Sequence, residues 1–342
     1  MKKLLQSILI CCFFCNLSAQ NNGTYKSIEE AFNEPYRVQK LLLNSVNFEV
    51  FPDSICLLPN LRVLQVLGGN YTQLPEEFGD LSNLDGLILE HSKLTTLPKS
   101  IGKLTLLDKV YLMNNELLFL PESISNLSRL DLISLSNNKL EKLPESFGKL
   151  EALRTLRLNN NNLRNLPQSF SNLYNLREID LNFNHFTDFP EILLLTNLER
   201  ISIENNKLTS IPNEIGTMKY LEVLWLDNNS IKELPKALAK LEFFISLSLG
   251  GNGLDVVPIV VTTLKGLTYL SLENNNLKEL PESIDELKNL EIIDLENNNL
   301  NSLPKSITNL KKLHKLNLKG NSFSVEEKER TKKTLKNCEV IF

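Results

Sequence analysis

The chain alternates apolar and polar positions in short bursts that recur at a fixed interval. In residues 267–289, LTYLSLENNNLKELPESIDELKN, leucines stand at positions 1, 4, 6, 11, 14 and 21 of a 23-residue unit: Leu267, Leu270, Leu272, Leu277, Leu280 and Leu287. Asn275 occupies position 9, Pro281 position 15 and Ile284 position 18. The segment LTYLSLEN alternates about Leu270 and Leu272, which predicts a short strand with one buried face. The asparagine follows the strand, where the chain turns. The proline has a fixed φ and no N–H, so it belongs on an irregular return segment and not in a sheet.

The prolines at position 15 run from Pro52 to Pro304 at intervals of 23 residues, except that Pro190 and Pro212 are 22 apart. A period of this length signals a solenoid, in which each unit buries its apolar face only against its neighbours. The pattern LxxLxLxxNxLxxLPxx[IF]xxL resembles the leucine-rich-repeat family, over nearly the whole chain after about residue 37. That resemblance implies an α/β solenoid: a right-handed horseshoe with a parallel β-sheet on its concave face and irregular or 3-10 segments on its convex face. Position 9 carries Asn115, Asn138, Asn161, Asn184, Asn206, Asn229, Asn252, Asn275, Asn298 and Asn321. A buried amide there can both donate to and accept from adjacent coils, which predicts a hydrogen-bonded ladder. Coils 1 to 3 have Val46, Gly69 and Ser92 instead, so the ladder is expected to be imperfect at the N-terminal end.

The two ends depart from the repeat. Residues 1–19, MKKLLQSILICCFFCNLSA, combine two lysines with an apolar run and small residues, the pattern of a cleaved secretory signal. An alternative is a lipoprotein acylated at Cys12 or Cys15, although Phe14 and Cys11 are poor residues before a modified cysteine. The expected location is therefore secreted, cell-surface or periplasmic. Residues 20–37 are expected to form an N-terminal cap with a short helix over 27–33, Ser27 being its N-cap. Residues 38–323 hold twelve repeats and a partial thirteenth. Residues 324–342 are expected to form a C-terminal cap of helix and strand, with Ser324 and Glu327 as a capping box, and no further domain is expected after it. Beyond the signal segment only Cys56 and Cys338 remain, at opposite ends of the solenoid and too far apart to bridge.

Charge and motifs narrow the function. The net charge is −4, and removing Lys2 and Lys3 leaves about −6, which argues against nucleic acid. His91, His185 and His314 fall in distant coils, and HExxH, GxSxG, P-loop and paired CxxC motifs are missing from the sequence. Ubiquitin ligases among bacterial repeat proteins carry a separate domain with a nucleophilic cysteine; Cys338 instead reads as a small buried cap residue. No catalytic residue, metal ligand or cofactor is expected.

The freedom of the repeat lies at positions 2, 3, 5, 7 and 8, which point away from the core. The resemblance implies that these line the partner-binding concave face. Toward the N-terminus they include Leu42, Val63, Leu67, Ile88, Tyr111, Met113 and Leu132, an apolar run. In the middle come Arg154, Arg157, Arg177 and Arg200, with Glu178 and Asp180. Toward the C-terminus lie Glu204, Asp227, Glu273, Asp294 and Glu296, an acidic row suited to a basic partner surface or a weakly held cation. Trp225, the single tryptophan, stands at position 5 beside Val223, with Tyr269 and Ile292 in coils beyond and Ser248 and Ser271 between. Leu224 and Leu226 take the buried face, so the register points Trp225 outward. The expectation is a monomeric, non-enzymatic scaffold that binds a protein, a host protein being one candidate. Cell-envelope glycan binding and a structural envelope role are the alternatives.

Overall fold

The computed structural model describes residues 22–342. The expected signal segment, with Cys11, Cys12 and Cys15, lies outside them. The described residues form fifteen strands, from β1 (Thr24–Tyr25) to β15 (Glu339–Ile341), in one sheet whose order is that of the chain. Every pairing is parallel, and between the two terminal strands the pairs follow the register of the repeat. Thus Leu224 of β10 (Val223–Trp225) faces Leu247 of β11 (Ser246–Ser248). Leu247 in turn faces Leu270 of β12 (Tyr269–Ser271), and that faces Ile293 of β13 (Ile292–Asp294). Leucines at positions 4 and 6, such as Leu224, Leu226, Leu247 and Leu249, are fully enclosed. The result is a right-handed α/β solenoid with the sheet on its concave face.

The convex side follows from the proline. Pro144, Pro167 and Pro281 are extended and precede 3-10 turns at Glu145–Lys149, Gln168–Asn172 and Glu282–Glu286. The proline carbonyl accepts the turn's first bond, as from the Phe147 amide to Pro144 at 3.0 Å. A short 3-10 turn needs no longer run of helix formers. It drives one apolar plug per coil into the core: Phe147, Phe170, Ile215, Ile284. The short coil shows what the missing residue did. After Pro190 there is an irregular turn and no 3-10 helix, yet Ile192 and Leu195 stay buried. The deletion therefore falls where the backbone is free to reroute without losing its plugs.

The buried asparagines tie coil to coil. The Asn206 amide nitrogen donates to the carbonyls of Leu181 (3.0 Å) in the preceding coil and Glu204 (2.9 Å) in its own. Its oxygen accepts from the Phe186 amide at 3.1 Å. The same pattern recurs from Asn115 to Asn321, although Asn321, beside the C-terminal cap, is only half-buried. At the N-terminal end Ser92 joins the chain of bonds by donating to the Asn115 oxygen at 2.6 Å.

Position 8 corrects the sequence reading. It is not a free outward position but the left-handed residue of the turn, with φ near +55° at Asn114, Asn137, Asn160, Asn228 and Asn297. Asparagine tolerates that region better than most residues. These side chains form a second ladder, Asn137 to Asn114 at 2.9 Å and Asn160 to Asn137 at 2.7 Å. Gly251 and Gly320 take the same left-handed conformation, and a Cβ there would lie 2.2 and 2.1 Å from the Asn228 and Asn297 side-chain oxygens.

Both ends depart from the repeat. α1 (Ile28–Asn33) is capped by Ser27, whose hydroxyl accepts from the Glu30 amide, and buries Ala31. β1 extends the sheet beyond the first repeat strand, which the repeat pattern did not indicate. α2 (Val325–Thr334) is capped by Ser324, which accepts from the Glu327 amide at 3.2 Å. The reciprocal half of the expected capping box is not made, because the Glu327 carboxylate pairs with Arg330 at 2.8 Å. Cys338 is half-buried and not enclosed as expected. Burial and the neighbouring Glu339 carboxylate push its thiol up to about 11, and Cys56 is raised to about 12, so both stay protonated at neutral pH.

Replacing Asn206 by Ala strands the Phe186 amide inside the core, while the Leu181 and Glu204 carbonyls keep the Asn184 side-chain amide and the Phe183 amide as donors. The expected cost is about 1–3 kcal/mol, read from urea unfolding of the two proteins. Equal midpoints would show that these bonds are replaced by water.

Candidate binding face

The rows of outward side chains follow from the register. Neighbouring strands lie about 4.8 Å apart, so each row of the repeat becomes a continuous line across the concave face. At the N-terminal end Leu42, Val63, Leu67, Ile88, Tyr111, Met113 and Leu132 are all half-buried on that face. Glu90 lies among them, and burial raises its pKa.

In the middle the basic residues are partnered. Arg154 meets Asp131 at 3.6 Å, Arg177 meets Glu199 at 3.5 Å, and Arg200 meets Glu178 at 3.6 Å. These exposed pairs add little stability. Arg157 lies opposite Asp180 and is exposed. Burial raises the Asp180 pKa, an effect opposed by the Asn182 amide and by Arg157.

Beyond Arg200 the balance changes. Glu204, Asp227 and Glu273 all have raised pKa values, first from burial. Like-charged neighbours then add to the shift: Asp227 at Glu204, Asp294 at Asp227, and Asp294 and Asp227 at Glu273. Asp227 is held by the Ser248 hydroxyl at 2.6 Å and by the Gly250 amide. A side chain at 250 would put its Cβ 2.8 Å from the Glu273 side chain and 3.1 Å from Asp227, so glycine is what lets these two carboxylates approach.

Glu296 departs from the sequence reading. Lys319, which the row of carboxylates concealed, reaches it at 2.9 Å, and with Asn317 holds its pKa below the usual value. The main like-charged neighbour of Glu273 is Asp294. Among the described residues no group of three or more His, Cys, Asp or Glu side chains is close enough to hold a metal ion. The weakly held cation therefore gains no support.

Trp225 projects from the concave sheet and is 40% exposed. Its indole N–H donates to the Ser246 hydroxyl on the neighbouring strand at 3.2 Å, so the ring leans over β11. Val223, Ser248 and Ser271 also face this side, yet are only 8%, 4% and 2% exposed. The Tyr269 hydroxyl sits near Asp294, Asp227 and Ser271, and burial raises its pKa.

One exposed feature was not singled out from the sequence. On the flank, Asn60, Asn83, Asn175, Asn197 and Asn289 each donate to a carbonyl of the preceding coil. Tyr220 and Phe243 take that place in two adjacent coils, and their half-exposed rings stack at 6.2 Å. The signal was the loss of asparagine at one repeat position.

This geometry defines a class, a solenoid scaffold with a patterned open sheet. Family models for leucine-rich repeats match residues 105–163, 128–186 and 196–240, and a leucine-rich repeat region model matches 257–327. A leucine-rich-repeat protein of Leptospira interrogans is 33% identical, with 93% of this chain and 99% of that chain covered and a TM-score of 0.61. The chain belongs to the leucine-rich-repeat family. An internalin of Listeria monocytogenes shares the fold at 23% identity and a TM-score of 0.78, with 90% and 88% covered. The plant peptide hormone receptor RGFR1, solved in complex with RGF2, is 26% identical with a TM-score of 0.64; 87% of this chain and 57% of the receptor are covered. No curated protein matches the chain.

The raised carboxylates predict a pH effect. A carboxylate whose folded pKa lies above its unfolded value binds more protons when folded, so its ionisation costs stability as pH rises through that window. The cost is absent below the unfolded value, about pH 4. Glu273→Gln is therefore expected to raise the melting temperature at pH 7 and to lose that advantage near pH 4. An advantage that persists at low pH would mean that packing, not charge, is responsible.

Proposed function

We propose that this chain is an exported, non-enzymatic scaffold that recognises a protein partner through its concave sheet. The observation that carries the reading is the outward-facing surface itself. Apolar side chains from Leu42 to Leu132 stand on a side of the sheet that the core does not need, and Trp225 stands exposed further along it. Mixed apolar and charged patches with an aromatic anchor suit a protein interface. That the plant peptide hormone receptor RGFR1 is solved in complex with RGF2 supports a partner-binding role for this fold. The candidate site residues of the sequence analysis are proposed as the contact surface on this ground.

Export rests on the signal pattern in residues 1–19. Among the described residues no helix is long and apolar enough to cross a membrane, which is compatible with a released or surface-attached chain. The scaffold reading takes residues 22–37 and 324–342 as covers that keep the terminal coils from exposing their cores.

The test is capture from host and envelope extracts with the purified protein, repeated with Trp225→Ala, Tyr111→Ala and, as a control, Tyr174→Ala, an exposed residue on the flank outside the strands. Once a partner is captured, Trp225→Ala is expected to weaken its binding by about 2 kcal/mol or more with an unchanged melting temperature. Binding lost in the flank control but kept in both concave variants would move the interface off the sheet.

A further inference from the structure

Resting on that reading of the concave sheet, we propose that the patch around Trp225 and Tyr269 receives an arginine side chain presented by the protein partner. The floor of the patch is aromatic. On β11 and β12 the outward residues Ser246, Ser248 and Ser271 are small, with Gly250 just beyond β11. They leave room for the indole of Trp225 to lean across, anchored by its N–H on Ser246 at 3.2 Å. Ser248 and Ser271 are only 4% and 2% exposed, while Trp225 keeps 40% of its surface open.

The rim is acidic and lacks an internal counter-charge. Elsewhere on this face several carboxylates meet basic groups, Asp85 with Arg62, Asp131 with Arg154, Glu178 with Arg200 and Glu296 with Lys319, while Glu90 and Asp180 stand singly. Among the described residues no basic group lies within 4.0 Å of Glu204, Asp227, Glu273 or Asp294. The Ser248 and Gly250 donors fix Asp227 in place, and Gly250 lets Glu273 close in beside it. The missing charge on this stretch of sheet is positive.

An organic cation fits better than a metal ion. The carboxylates are too dispersed to coordinate one, and an indole face offers a metal nothing. A guanidinium is planar, stacks on aromatic faces and forms forked bonds with carboxylates. A cation beside Glu204, Asp227 and Glu273 offsets the like-charge repulsion that adds to burial in raising their pKa values. Binding therefore releases protons and weakens as pH falls.

The single tryptophan reports its own site. The probe is an acetylated nonapeptide of three Gly-Ser-Arg units, titrated into the full protein at low salt while the Trp225 emission is followed. Its control is the same peptide with citrulline, which keeps the shape and removes the charge. The expected result is a saturable emission change whose half-saturation rises about tenfold with citrulline, with Glu273→Gln, and on raising salt. Circular dichroism of Glu273→Gln confirms that the variant is folded. Equal responses to both peptides, or no response to the arginine peptide at millimolar concentration, overturn the proposal. If that happens while partner capture still depends on Tyr111 and Trp225, the concave interface stands and only its arginine pocket falls. If capture is also indifferent to those residues, the scaffold reading falls with it.

Discussion

From the fourth coil on, each coil must turn sharply after a three-residue strand, and the turn would leave backbone groups inside the core with nothing to bond. The position-9 amide resolves this. Asn229 donates to the carbonyls of Ile203 (2.9 Å) in the preceding coil and Leu226 (3.0 Å) in its own, and accepts from the Leu208 amide at 2.9 Å. Stranded buried groups would cost about 1–3 kcal/mol each, so the ladder fixes the spacing of coils as firmly as the leucines do. The ladder sets the register of the turns and not the length of the coil, since Asn206 keeps the same bonds across the 22-residue coil.

That constraint divides the surface. Positions 4, 6, 9 and 11 are committed to the core, and position 8 is committed to the second ladder. What remains are the outward side chains of the strands, where substitution changes recognition with little effect on folding. The chain uses them in a gradient from apolar, through compensated ion pairs, to uncompensated acid around an exposed tryptophan. The rigid sheet presents these groups at fixed spacing, so little order remains to be imposed on binding.

Much of this was legible in the sequence because the period repeats a physical requirement. The proline interval located the twelve full coils, and the leucine alternation placed Trp225 on the open side. The rest depended on neighbours in space. Asn at position 8 looked like a solvent-facing residue until its left-handed backbone and its 23-residue partner were visible together. The carboxylate of Glu296 read as one more member of an acidic row, because Lys319 lies in the next coil. The Glu327 carboxylate had two partners within reach, and its sequence spacing did not reveal that Arg330 takes it. The short coil hid the loss of its 3-10 turn, since its buried plugs are unchanged.

Hydrogen exchange of the Asn229→Ala variant tests the ladder most directly. The bond that Asn229 accepts comes from the previous coil, whereas the amide of Ile231, in its own coil, is bonded by Asn252 at 2.9 Å. Exchange of a buried amide reports its local opening. The account predicts that exchange at Leu208 speeds up markedly while that at Ile231 changes far less. Unchanged protection at Leu208, or a loss centred on the variant's own coil, would contradict it.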